Sequence, residues 1–221
     1  MNTIILTKTY TEPPVSEKEI LRYAGCQKAD RDIQTLLTAC LDKARDKLVY
    51  KVCYGEFPVA TDGNLCDFGA FRVSSQHLAA NIKDCHTVIL FAATVGVGLD
   101  RLIAKYGHLS PAKALLFQAI GAERIEALCD RFCEDISQER NMGLTPRFSP
   151  GYGDLPLEVQ KNLFAVLDCG RRIGLTLTDS LLMSPSKSVT AFVGLTPGKE
   201  RQIENKCSAC YKQNCTFRGA L

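Results

Sequence analysis

Long hydrophobic runs are missing from this 221-residue chain: nothing reaches the roughly 18 consecutive apolar residues that a membrane-crossing helix needs, and the longest run, residues 87–97, has the length of a strand. The first ten residues lack the basic start, extended apolar stretch and cleavage site that mark an export signal, so the protein is expected to be cytoplasmic and away from membranes. A surplus of one charge is also missing. The 27 basic and 24 acidic residues leave a net charge of +3, spread along the chain instead of gathered into a stripe, which argues against nucleic acid as the main ligand. Histidine is scarce: His77, His86 and His108 stand far apart in sequence, so no catalytic dyad is legible. Internal repeats and low-complexity linkers are absent as well.

What the chain does have is apolar content, 46% of its residues, enough for a substantial core. One domain is expected over residues 1–200, followed by a cysteine-containing tail at 201–221. Of eleven cysteines, eight are scattered singly through apolar periodic segments, where isolated thiols act as small hydrophobes in a reducing compartment. Ser16 and Glu19 suggest a capping box for a short helix ending at Gly25. Residues 30–49 carry apolar side chains at helical spacing, and residues 52–59 read as a strand. Residues 87–93 predict a strand buried on both faces, and residues 99–106 a helix.

Ser110-Pro111 then opens the strongest helix signal, to about residue 139. Leu115, Ala119, Ala122, Ile125, Cys129, Phe132 and Ile136 form one face, and Glu123, Arg124, Glu126, Asp130, Arg131, Glu134 and Asp135 occupy the others. An irregular loop with three glycines and two prolines follows at residues 141–154, then a helix at 157–167 and two strands over 175–195 around Ser184-Pro185-Ser186-Lys187. The mixture lacks βαβ regularity, so the expected class is α+β, with an antiparallel or mixed sheet packed against long helices.

Two motifs invite chemistry that their surroundings do not sustain. Gly96-Val-Gly98 follows a strand and opens a helix, but position 101 is Arg where a dinucleotide fingerprint needs a third glycine, so a tight turn is the better reading. Asp84-Cys-His86 begins like a cobalamin-ligating D-x-H-x-x-G, yet position 89 is Ile, leaving His86 as a residue that leads into a strand.

The most informative segment is Arg147-Phe-Ser-Pro-Gly-Tyr152. It resembles the R-x-x-P-G-Y signature of the S-adenosylmethionine-binding activation (reactivation) domain of cobalamin-dependent methionine synthase. The resemblance continues through Pro156, Leu167-Asp168, Gly174, Leu177-Thr178, Ser180, Met183-x-Pro185 and Ser188-Val189, and upstream through residues 119–135. It covers about residues 115–194, in the family's order and approximate spacing. A planar guanidinium can grip carboxylate oxygens through two parallel hydrogen bonds, an aromatic face stabilises a nearby cation, and Pro-Gly lets backbone approach a ligand.

The resemblance implies S-adenosylmethionine contacts at Arg147, Ser149, Gly151 and Tyr152. On the residues alone, Arg147 paired with a structural acid beside a simple turn is the alternative. The resemblance also implies cobalamin held by a partner, a methionine synthase or other corrinoid protein, and an electron donor such as a flavodoxin or ferredoxin. The chain would then serve reductive methylation of cob(II)alamin as a stand-alone subunit of a methyltransferase system, with no catalytic acid or base of its own. Two departures stand out. Arg201-Gln202 falls where the family has a tyrosine pair, and the family's N-terminal acidic contact has only Asp62 and Asp67 as candidates.

Cys207, Cys210 and Cys215 crowd the tail as C-x2-C-x4-C. Zinc or iron-sulfur ligation, an unstructured thiol-rich tail and a redox disulfide are all open, and three local thiolates leave a four-ligand site incomplete. With a cluster there, the protein would be an electron-transfer activator of a corrinoid protein, the alternative function.

Overall fold

The computed structural model describes residues 3–26 and 28–198. Strand β1, Leu6–Tyr10, leads to helix α1, Glu17–Tyr23, whose first turn is capped by Ser16 Oγ accepting the Glu19 N–H at 3.4 Å. Only half of the expected capping box forms: the Glu19 carboxylate accepts from Arg22, and the Ser16 N–H donates instead to Glu123 at 3.0 Å. Helix α2, Arg31–Arg45, starts at an Asp30 cap and stops short of the expected residue 49. The physical reason is that Val49 donates its N–H to Val95 at 3.1 Å, which draws this stretch into the sheet edge where strand β2, Tyr50–Pro58, begins.

A small antiparallel sheet follows, made of β3, Ala60–Asp62, β4, Leu65–Asp67, and β5, Arg72–Ser74, and after it the short helix α3, Gln76–Asn81. Strand β6, Thr87–Thr94, turns through Gly96 into α4, Gly98–Leu109, and Pro111 opens the 30-residue α5, Pro111–Arg140. Next come β7, Gly143–Leu144, a single 3-10 turn at Leu157–Val159, α6, Gln160–Leu167, and α7, Cys169–Ile173. The expected pair of strands over 175–195 is only partly formed. Thr176–Leu177, β8, and Met183–Ser184, β9, make a two-residue ribbon of their own, while β10, Ser188–Thr196, alone joins the main sheet.

The main sheet runs β1-β2-β6-β10-β7, with every neighbouring pair antiparallel, and the architecture is α+β. As its continuous apolar run implies, β6 is the middle strand and is buried on both faces. One face, with Ile89, Phe91 and Ala93, meets α5, where the Phe132 ring sits 4.8 Å from Phe91 and 5.1 Å from Tyr54. The other face, with Cys53, Leu90 and Phe192, is covered by α6, α7 and Phe68 of the small sheet.

Helix α5 departs from the amphipathic pattern expected of it. Sandwiched between the sheet and α1, α2 and α4, it buries side chains nearly all round, so Glu123 and Arg124 lie inside and Leu115, expected on the core face, is 51% exposed. Arg124 is fully buried; it pairs with Glu123 and donates to the carbonyls of Pro13 and Pro14 at 2.6 Å each. A guanidinium buried in this way is tolerable because its donors reach acceptors.

Candidate functional site

The loop after α5 is shaped by three local constraints. Asn141 ends the helix in the left-handed region at φ 50°, a conformation its short polar side chain tolerates. Phe148 exchanges two backbone hydrogen bonds with Phe192 of β10, at 3.0 and 2.8 Å, which pins the loop to the sheet one residue after Arg147. Gly151 then turns the chain at φ +88°, donating its N–H to Leu155 while Tyr152 donates to Ser149. A side chain at residue 151 would be strained there, and none stands between the backbone and whatever approaches it.

The far end of the loop is clasped by α3. The Asp154 carboxylate accepts from Ser75 Oγ at 2.5 Å and from the N–H groups of Gln76 and His77 at 2.7 and 3.2 Å. These bonds, the one from Ser75 foremost, hold its pKa down to about 2. Arg147, Ser149, Gly151 and Tyr152 thus share one rigidly anchored loop beside α5.

Arg147 uses its fork on acids of α5: Nη1 donates to Asp130 at 2.5 Å and Nη2 to Glu126 at 2.7 Å. Its side chain is only 12% exposed, whereas Asp130 is 60% exposed. Burial opposes the charge, but the carboxylates of Asp130 and Glu126 beside it hold the guanidinium above its ordinary pKa. The ring of Tyr152 is about half exposed and meets Phe148 edge-on at 6.1 Å. Partial burial, and next the Glu126 carboxylate, raise its phenol pKa. A cation, two carboxylates and an aromatic face therefore meet at one place, the complement of a small zwitterionic ligand carrying an aromatic or sulfonium group. Glu126 and Asp130 were legible only as polar positions of α5. Their spacing of four on one helix face was the available signal, but nothing in the sequence aimed it at Arg147.

The remaining candidates lie elsewhere. Asp67 accepts from Gly69 at 2.8 Å and from Arg72 at 2.6 Å, and Asp62 is an exposed residue of β3. His86 precedes β6, its carbonyl accepting from Val59, and Ile89 is a fully buried strand residue. Gly96 at φ +83° packs on Val49, and Gly98 on the Lys47 carbonyl, so these glycines serve close chain packing. A cavity of about 310 Å³ near that turn is lined by residues such as Lys51, Thr94, Gly96, Gly174 and Pro185, and by none of the loop from Arg147 to Tyr152. Among the described residues no three His, Cys, Asp or Glu side chains form a metal-binding group, and no helix is long and apolar enough to cross a membrane. Arg201, Gln202, Cys207, Cys210 and Cys215 lie outside the described residues.

Comparison with known proteins bears on the family and the fold. The profile of the family "Vitamin B12 dependent methionine synthase, activation domain" matches residues 75–202, over half of the 221-residue chain. The chain belongs to that family. Among solved structures it is similar to the "MetH Reactivation Domain bound to AdoHcy", with a TM-score of 0.63 at 15% identity, covering 89% of this chain and 79% of that one. That likeness extends the shared fold well upstream of residue 75. No curated protein matches the sequence.

Proposed function

We propose that the chain binds S-adenosylmethionine at the loop from Arg147 to Tyr152 and presents it to the cobalamin of a partner methionine synthase or corrinoid protein, for reductive methylation of cob(II)alamin. The observation that carries the reading is the guanidinium of Arg147 held against α5 by Asp130 and Glu126, on the same anchored loop as Gly151 and Tyr152, in a family of methionine synthase activation domains and on a fold whose solved relative carries AdoHcy. Arg147 grips the ligand carboxylate, exchanging Asp130 for it; Tyr152 lays its ring against the cationic end, an interaction worth roughly 0.5–2 kcal/mol. Gly151 and the Ser149 backbone admit the ligand close to the chain.

Bound there, S-adenosylmethionine supplies a methyl group on a sulfonium whose departure leaves a neutral thioether, so transfer asks no side chain for a proton. The protein's own contribution is positioning, which by itself lowers barriers by several kcal/mol. The electron comes from outside, from a flavodoxin or ferredoxin. An anaerobic assay tests this: a corrinoid partner in the cob(II) state, a reductant and S-adenosylmethionine, followed by the absorbance of methylcobalamin. Methylation that requires this protein is the expected result; equal rates without it would refute the proposal.

A further inference from the structure

The sheet face covered by α6 and α7 changes character toward one end. Across β2, β6 and β10 it presents Gly55, Leu90 and Phe192 in one row and Cys53, Ala92 and Thr190 in the next, then ends on Lys51, Thr94 and Ser188. Cross-strand neighbours in such a row stand about 5 Å apart, so three polar side chains meet where the apolar face stops. Ser188 Oγ bonds Thr94 Oγ1 at 2.8 Å, and Thr94 also accepts the Gly96 N–H at 3.1 Å. Lys51, the third member of the row, forms no ion pair among the described residues.

The cavity of about 310 Å³ opens at this end row, with Lys51 and Thr94 in its lining, and its volume falls at the lower end of the range of small-molecule sites. Ile173 and Pro185, both buried, and Val49 and Val97, each nearly half exposed, give it apolar walls. A second positive charge stands close by: the Cys53 thiol pKa is lowered by a hydrogen bond from Cys169 and then by the Arg172 guanidinium, which sets that charge beside the row next to Lys51. Arg172 Nε and Thr190 Oγ1 lie buried without a hydrogen-bond partner. No carboxylate lines the cavity, and Asp100, in the first turn of the helix that follows Val97, is taken by Ser186, whose N–H and hydroxyl donate to it at 2.8 and 2.5 Å. An ammonium group brought into this lining finds no counter-charge, whereas a carboxylate finds Lys51 and an apolar body finds the walls.

We propose that this cavity is a second binding site, for a small organic carboxylate with an apolar body and no ammonium group: the carboxylate pairs with Lys51, and the body packs between Ile173 and Pro185 on one side and Val49 and Val97 on the other. The site shares no residue with the Arg147 loop and holds whether or not that loop binds S-adenosylmethionine.

The test is titration of the intact, isotope-labelled protein with benzoate and with 4-methylpentanoate at millimolar concentrations, followed by the amide resonances. It compares wild type with Lys51→Met, which keeps the apolar stem and removes the charge, and with Lys51→Arg, which restores a cation; thermal melting checks that each is folded. A further variant, Val97→Asp, sets a like charge on the wall at a helix N-cap, where aspartate is well tolerated. Saturable shifts at Gly96, Val97 and Gly174 that weaken at least tenfold in Lys51→Met and severalfold in Val97→Asp, and that persist in Lys51→Arg, are expected. Absence of saturable shifts with both carboxylates, equal affinity in Lys51→Met, or shifts confined to residues 147–152 overturns the proposal. So does equal binding of leucine, which carries the same apolar body with an added ammonium, or of inorganic phosphate, which has no apolar body.

Discussion

At Arg147 the protein itself satisfies the guanidinium, through Asp130 and Glu126. A ligand carboxylate must compete with these acids, and Asp130 is the easier to displace because its exposed carboxylate gains little from the pair and is readily rehydrated. Asp130→Asn is therefore expected to tighten S-adenosylmethionine binding by several-fold, about 1 kcal/mol, as read by titration calorimetry. Unchanged or weaker binding would mean that Asp130 helps to hold the ligand. The hexapeptide around Arg147 stood out in the sequence through its resemblance to a family signature, whereas its residues alone fit equally an arginine paired with a structural acid, the pairing that Asp130 and Glu126 make. Which acids those are was not legible, since their approach depends on where the end of α5 meets the loop pinned to β10.

Among elements, α5 and the clasp on α3 carry the consequences. Arg124 ties α5 to the Pro13-Pro14 segment from a fully buried position, so Arg124→Ala leaves the buried Glu123 carboxylate without its counter-charge, with the Ser16 N–H still donating to it, and two carbonyls without the guanidinium donors. Urea denaturation should show a loss of about 3–5 kcal/mol, and the paired replacement Glu123→Gln, Arg124→Met a smaller one. The helical period of α5 was plain in the sequence, but periodicity cannot say that a helix is covered on several sides, which is why Glu123 and Arg124 read as surface charges. Short elements such as β3 to β5, α3 and α7 were missed because a few residues give no period to read.

The Asp154 clasp has a pH signature. Its carboxyl is held at about 2 against an ordinary 3.8, so the unfolded chain takes up the proton first. The clasp's contribution is complete above the ordinary value and fades as pH falls from there toward about 2. Proteolytic nicking of the loop should rise over that window in the wild type, whereas Asp154→Asn should be nicked readily, and almost equally, at every pH.

Over the whole molecule, residues that precede the family match complete the structure around it. Strand β2 pairs along the length of β6, α1 and α2 cover α5, and Arg124 holds the N-terminal prolines. The segment 75–202 expressed alone would expose the faces of β6 and α5, so it should lack the near-UV circular dichroism of packed aromatics; a native-like spectrum would contradict this account of the core. The α+β class and the central place of β6 were legible because a strand buried on both faces needs a continuous apolar run. The order β1-β2-β6-β10-β7 was not, because pairing between distant strands leaves no local mark.

The central claim is that Arg147 anchors S-adenosylmethionine. Calorimetric titration of the intact protein beside Arg147→Ala tests it most directly, with folding of both checked by circular dichroism. Saturable binding in the wild type that weakens at least a hundredfold in the variant is the predicted result, in line with the loss of a bidentate charged contact. A folded wild-type protein that does not bind, or a variant that binds equally well, would contradict it.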